Sequence, residues 1–72
     1  MAIYVRISEP TLLPALIESF LRNHCVAQRI DNDTCAVVHV HARDAREASQ
    51  EVAFFLRAWQ AQHPDVSVMR AV

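Results

Sequence analysis

The chain of 72 residues contains no glycine and no lysine, and all seven of its basic residues are arginines. Without glycine it has no loop of the kind whose bare backbone closes around a phosphate. That excludes both the P-loop and the dinucleotide-binding fingerprint. Every tight turn must also be made by residues that carry a side chain. Cys25 and Cys35 are too few for a disulfide framework or a cysteine-rich zinc site. No apolar run approaches the roughly 18–20 residues that cross a bilayer, and Arg6 interrupts Met1–Ile7 before it reads as a leader. A net charge of −1 argues against a surface that neutralises phosphates, so neither nucleic acid nor membrane is an expected partner. Together these absences lead us to expect a cytoplasmic protein with reduced thiols and no cofactor.

What is present is apolar. A hydrophobic fraction of 53% against 21% charged residues belongs to a globular chain, and its length suits one domain over 1–72. A domain this small has more hydrophobic surface than a two-layer core easily hides. Part of that surface is therefore expected between copies, giving a homodimer.

Periodicity places six elements. Ile3, Val5 and Ile7 alternate with Tyr4 and Arg6, the pattern of a strand with one buried face. Leu12, Leu13, Leu16, Ile17, Phe20, Leu21 and His24 recur at helical spacing, predicting a helix over 12–24 with Thr11 as N-cap and Pro14 in its first turn. Cys25–Ile30 reads as a strand, and Asp31-Asn32-Asp33-Thr34 as a turn made without glycine. With Asn32 and Asp33 at its tip, Ile30 faces Cys35 and Gln28 faces Val37. Thr34–Ala42 is the clearest strand. Alternation assigns Ala36, Val38, Val40 and Ala42 to the core and Cys35, Val37, His39 and His41 to the opposite face. Asp44 and Glu47 have capping-box spacing for a second helix with Ala45, Ala48, Val52, Phe55, Leu56 and Trp59 inward. His63-Pro64 ends it, and Val66–Val72 reads as the last strand.

The order β-α-β-β-α-β predicts an α+β, ferredoxin-like two-layer sandwich: a four-stranded antiparallel sheet with two helices on one face. The other sheet face has no cover. On the expected register it carries Tyr4, Arg6, Val37, His39 and His41, joined by Cys35, Val26, Gln28 and Ile30. An uncovered, half-apolar face of this size is an interaction surface. Three readings compete for it. A homodimer interface needs nothing further. Metal binding would use His39 and His41, since imidazole suits zinc, copper, nickel or iron, but needs a third ligand from elsewhere. Single-stranded RNA could stack on Tyr4, yet the basic and aromatic run of an RNA-recognition motif is missing. No serine has a visible His–Asp partnership, so no enzyme is expected.

One stretch carries a family likeness. Ser8-Glu9-Pro10-Thr11-Leu12-Leu13, the helix through Phe20-Leu21-Arg22 and then Cys25-Val26-Ala27 resemble the first third of ACT domains. These are small ferredoxin-like modules that bind amino acids and related ligands. Glu9-Pro10 stands where that family has an acidic residue and proline, and Thr11 where it has glycine. The resemblance implies a small-molecule pocket at Glu9, Pro10 and Thr11 beside a dimer interface. The sequence as a whole thus points to a non-enzymatic interaction or ligand-binding module, with metal binding through His39 and His41 as the alternative.

Overall fold

The structure is a computed structural model that describes residues 2–71; Met1 and Val72, the end of the expected last strand, lie outside the described residues. The elements are β1 (Ile3–Ile7), a 3-10 turn (Pro10–Leu12), α1 (Leu13–Arg22), β2 (Cys25–Arg29), β3 (Thr34–His39), α2 (Ala45–Gln62) and β4 (Val68–Ala71). The sheet order is β2-β3-β1-β4 with every neighbour antiparallel. That is the ferredoxin-like α+β plan expected from the element order.

The helix ends show how a chain without glycine makes its corners. Thr11 does not cap α1. Its hydroxyl donates to the Glu9 carboxylate at 3.0 Å, while Pro10–Leu12 tightens into a 3-10 turn and Leu12 occupies the cap position. Pro14 then falls at the second position of α1, where its missing N–H has no partner to lose. At the other end His24 is not the last residue of the helical stripe. It has φ of 64°, the left-handed conformation that terminates helices and that glycine usually supplies. Asn23 before it ties back through its side-chain amide to the Ser19 carbonyl at 2.7 Å. α2 starts as expected: the Asp44 carboxylate accepts the Glu47 N–H at 2.8 Å, and the Glu47 carboxylate accepts from the Arg43 backbone at 3.3 Å.

The core lies between the helices and one sheet face. Ile3, Val5 and Ile7 are covered by Leu13, Leu16 and Phe20 of α1 and by Val52, Leu56 and Trp59 of α2. The rings of Phe20 and Phe55 stack with centroids 4.1 Å apart. Each such side chain removed from water contributes about 1.5–3 kcal/mol. Of the helix residues expected to point inward, Leu21, His24 and Ala45 are exposed.

β3 departs most from expectation. Ile3 opposes Val37 and Val5 opposes Cys35, so Val37 and Cys35 share the core face with the β1 isoleucine and valine, and both are fully buried. Val38 and Val40 are exposed instead. The strand is turned over relative to its predicted faces, because the hairpin register differs by one residue. Gln28 opposes Ala36, and the Ile30 N–H bonds to the Thr34 carbonyl at 3.0 Å. Asp31, Asn32 and Asp33 thus form a three-residue loop. Asp31 accepts the Asn32 N–H at 2.8 Å, and Asp33 takes the Thr34 hydroxyl through its side chain and the Ile7 N–H through its carbonyl. That last bond fixes the loop to β1 and with it the register. A slip of one residue reverses every side chain of a strand.

Candidate functional site

The corrected register redraws the helix-free face. Reading across the ladder, one row is Gln28, Ala36, Tyr4 and Ala71, and the next is Ile30, Thr34, Arg6 and Met69. Beside the first row Val26 opposes Val38. The large apolar members stand in water: Tyr4 is 45% exposed, Val26 55%, Val38 39%, Ile30 54% and Met69 57%. Arg6 is the one charged side chain among these positions, and its Nε lies 4.0 Å from the Asp33 carboxylate. A face this poor in charge, with aliphatic groups around one tyrosine, has the composition of an interface centre. Tyr4 and Arg6 sit where expected, as do Val26, Gln28 and Ile30. Val37 and Cys35 do not belong to the face; the turned-over strand buries them under the helices. Val38, Ala36 and Met69 take their place. Tyr4 is the only aromatic in these rows among the described residues, and a small alanine opposes it on β3, where an RNA platform would need a second ring.

The histidines are divided. His39 ends β3 on the helix side, not the open face, and its Nδ1 is buried without a hydrogen-bond partner. It borders a cleft of about 320 Å³ with Asn23, His24, Cys25, Glu51, Phe54, Phe55 and Ala58. β3 stops at His39, so His41 lies in a turn and no longer follows strand alternation. Its ring meets that of His24 instead, centroids 5.0 Å apart and planes at 65°. The left-handed backbone of His24 and a bond from the Val40 N–H to the His24 carbonyl at 2.9 Å set this meeting. The expected pair of His39 and His41 on one sheet face is therefore corrected: the imidazoles that come together are His24 and His41. Among the described residues, no three His, Cys, Asp or Glu side chains converge as a set that could hold a metal ion.

The loop of Glu9, Pro10 and Thr11 contributes little lining. Glu9 and Thr11 satisfy each other, and only Pro10 borders a small cleft of about 180 Å³, with Arg6, Ser8, Asp33, Ser67 and Met69 around it. The two cysteines are free and buried. Burial pushes the Cys35 thiol up to about 11. Cys25 is raised too, first by burial and then by the Glu51 carboxylate nearby. Neither thiol is poised as a nucleophile. Among the described residues no helix is long and apolar enough to cross a membrane.

Comparison of the chain with protein-family models, with curated proteins and with solved structures gives no match.

Proposed function

We propose that this chain is a non-catalytic interaction module that pairs with a second copy of itself through the helix-free sheet face. The observation that carries the reading is the continuous exposed run of Val26, Val38, Tyr4 and Met69 on a face with a single charged side chain among the described residues. Turning β3 over strengthens the case. It takes His39, Val37 and Cys35 out of the predicted patch and supplies Val38 and Ala36, while His41 leaves because β3 ends at His39. Four strands at ~4.8 Å spacing and five residues at ~3.3 Å give a face of roughly 300–400 Å² in projection. A standard interface buries about 800 Å² per partner, so this face makes a small interface of the kind found in weak or transient pairs. Two free thiols and the absence of a membrane-crossing helix among the described residues fit the cytoplasm.

Sedimentation equilibrium across roughly 1–500 µM tests the reading, a range chosen to reach the weak association expected of a small interface. The expected result is a concentration-dependent dimer that Val38→Glu and Val26→Glu each abolish while the far-ultraviolet circular dichroism is unchanged. A monomer throughout, or a dimer indifferent to both substitutions, refutes it.

The ACT-like loop offers a second, narrower reading, a small ligand seated beside that interface. Its support is the cleft of about 180 Å³ in which Pro10 meets Arg6, Ser8, Asp33 and Ser67. A Pro10→Ala variant that dimerises normally but loses thermal stabilisation by amino acids is its expected signature.

A further inference from the structure

We infer that His24 and His41 form a two-imidazole clip for a borderline-soft divalent cation, of the copper, nickel or zinc type. The inference goes beyond self-association and does not depend on it.

Three observations on the same end of the sheet support the clip. The first is spacing. Two imidazoles bound through nitrogen at the usual ~2.0–2.1 Å hold their ring centroids about 5.2 Å apart on a tetrahedral ion and about 4.5 Å apart at neighbouring corners of a tetragonal one. The centroids of His24 and His41 are 5.0 Å apart already. Ring packing alone also reaches that distance, but both residues are exposed, and an exposed ring pair gains little from being dry. The second is charge. The two arginines flanking this region in sequence are each neutralised on their own helix side: Arg22 by Glu18 at 2.7 Å and Arg43 by Glu47 at 3.3 Å. Glu51, which has no ion-pair partner among the described residues, borders the same cleft as His24. A carboxylate thus lies on the His24 side of the site, while Arg57 sits over the Phe54 ring of the same cleft at 5.7 Å.

The third is the backbone. His24 stands at the one left-handed position among the described residues, and this conformation, with the Val40–His24 backbone bond, fixes one ligand relative to the other. A chelating pair on a fixed backbone loses less conformational freedom on binding than two free side chains. Two ligands leave the remaining coordination positions to water or to an outside donor. Imidazole donors and the Irving–Williams order place Cu²⁺ above Ni²⁺ and Zn²⁺ in affinity.

The test is calorimetric titration of the untagged full chain with Cu²⁺ and with Ni²⁺, alongside electron paramagnetic resonance of the copper form. The expected result is one ion per chain with nitrogen hyperfine structure from two imidazoles. His24→Gly and His41→Ala are each expected to weaken binding at least about tenfold, the loss that even an outer-shell partner's removal reaches. His63→Gln is expected to leave binding unchanged. Glycine suits the left-handed position, so loss of binding in His24→Gly is not loss of fold; a urea titration of the same sample confirms this. The inference is overturned if both variants bind as the parent does. It is equally overturned if His39→Gln weakens binding as His41→Ala does while His24→Gly has no effect.

Discussion

Replacing His24 by glycine should make this protein more stable, although it deletes a side chain that touches another. His24 has φ of 64°. For a residue with a β-carbon, that conformation costs roughly 1–2 kcal/mol because the carbonyl crowds the side chain. Glycine does not incur this cost, but its unfolded chain has more freedom to lose, an offset of about 0.4–1 kcal/mol. Loss of the ring contact with His41 removes a few tenths more from an exposed pair. The net expectation is a gain of about 0.5 kcal/mol, which for a chain of 72 residues raises Tm by roughly 2–4 °C. His24→Asn should fall between glycine and histidine, since asparagine tolerates the left-handed region better than most residues. His24→Ala should match histidine or fall slightly below it. Urea unfolding followed by circular dichroism, without added metal, gives the ranking. A glycine variant less stable than the parent, or an alanine variant equal to glycine, would falsify the argument that the backbone at this corner is strained.

The other expectations concern the far end of α2, its start and the buried thiols. Gln60 holds the chain entering β4 by donating to the carbonyls of His63 and Val66 and accepting the Val68 N–H at 3.0 Å. Gln60→Ala leaves a half-buried N–H without a partner and should cost about 2 kcal/mol in urea unfolding; a cost below about 0.5 kcal/mol counts against the role assigned to it. Asp44→Ala removes the cap of α2 and should cost about 1 kcal/mol, with Asp44→Asn recovering most of it. Cys35 ionises near 9 in an unfolded chain and near 11 in the folded one, so the native state binds more protons between those values. Stability is therefore complete below pH 9 and falls as pH rises toward 11, by on the order of 2 kcal/mol. Cys35→Ala should flatten that alkaline limb, and a limb unchanged by it would assign the loss elsewhere. In native protein at pH 8 neither buried cysteine should react with a disulfide reagent faster than the chain unfolds.

Most of the architecture could be read from periodicity. The alternation of Ile3, Val5 and Ile7, the stripe from Leu13 to Phe20, and the Asp44–Glu47 spacing each named an element and its inner face. The faces of β3 could not be read in that way. Cys35 and Val37 are as suited to a core as Val38 and Val40, and the uniformly apolar row of Ala36, Val38, Val40 and Ala42 reads as the core side although it is not. What decides the matter is the size of the hairpin loop, set when Asp33 bonds to Ile7 across a strand that is distant in sequence. No local pattern carries that information. Asp31-Asn32-Asp33 is three turn-forming residues in a row, and that was the available hint of a three-residue loop. The pairing of His24 with His41 was hidden for a similar reason. One histidine counted as the end of a helix and the other as part of a strand, whereas each sits just beyond its element.

The ladder between β1 and β4 has a further consequence for how the molecule is made. Tyr4 pairs with Ala71 and Ile7 with Val68, so the first strand stays half unpaired until β4 has been synthesised. During translation the β2–β3 hairpin and α1 can assemble on one side of β1, while its other edge keeps open hydrogen-bonding groups beside an apolar row. The pairing of β1 with β4 spans the highest sequence separation in the sheet, so it carries the largest loop-closure cost. A cut that removes β4 would therefore expose the middle of the sheet rather than trim its margin.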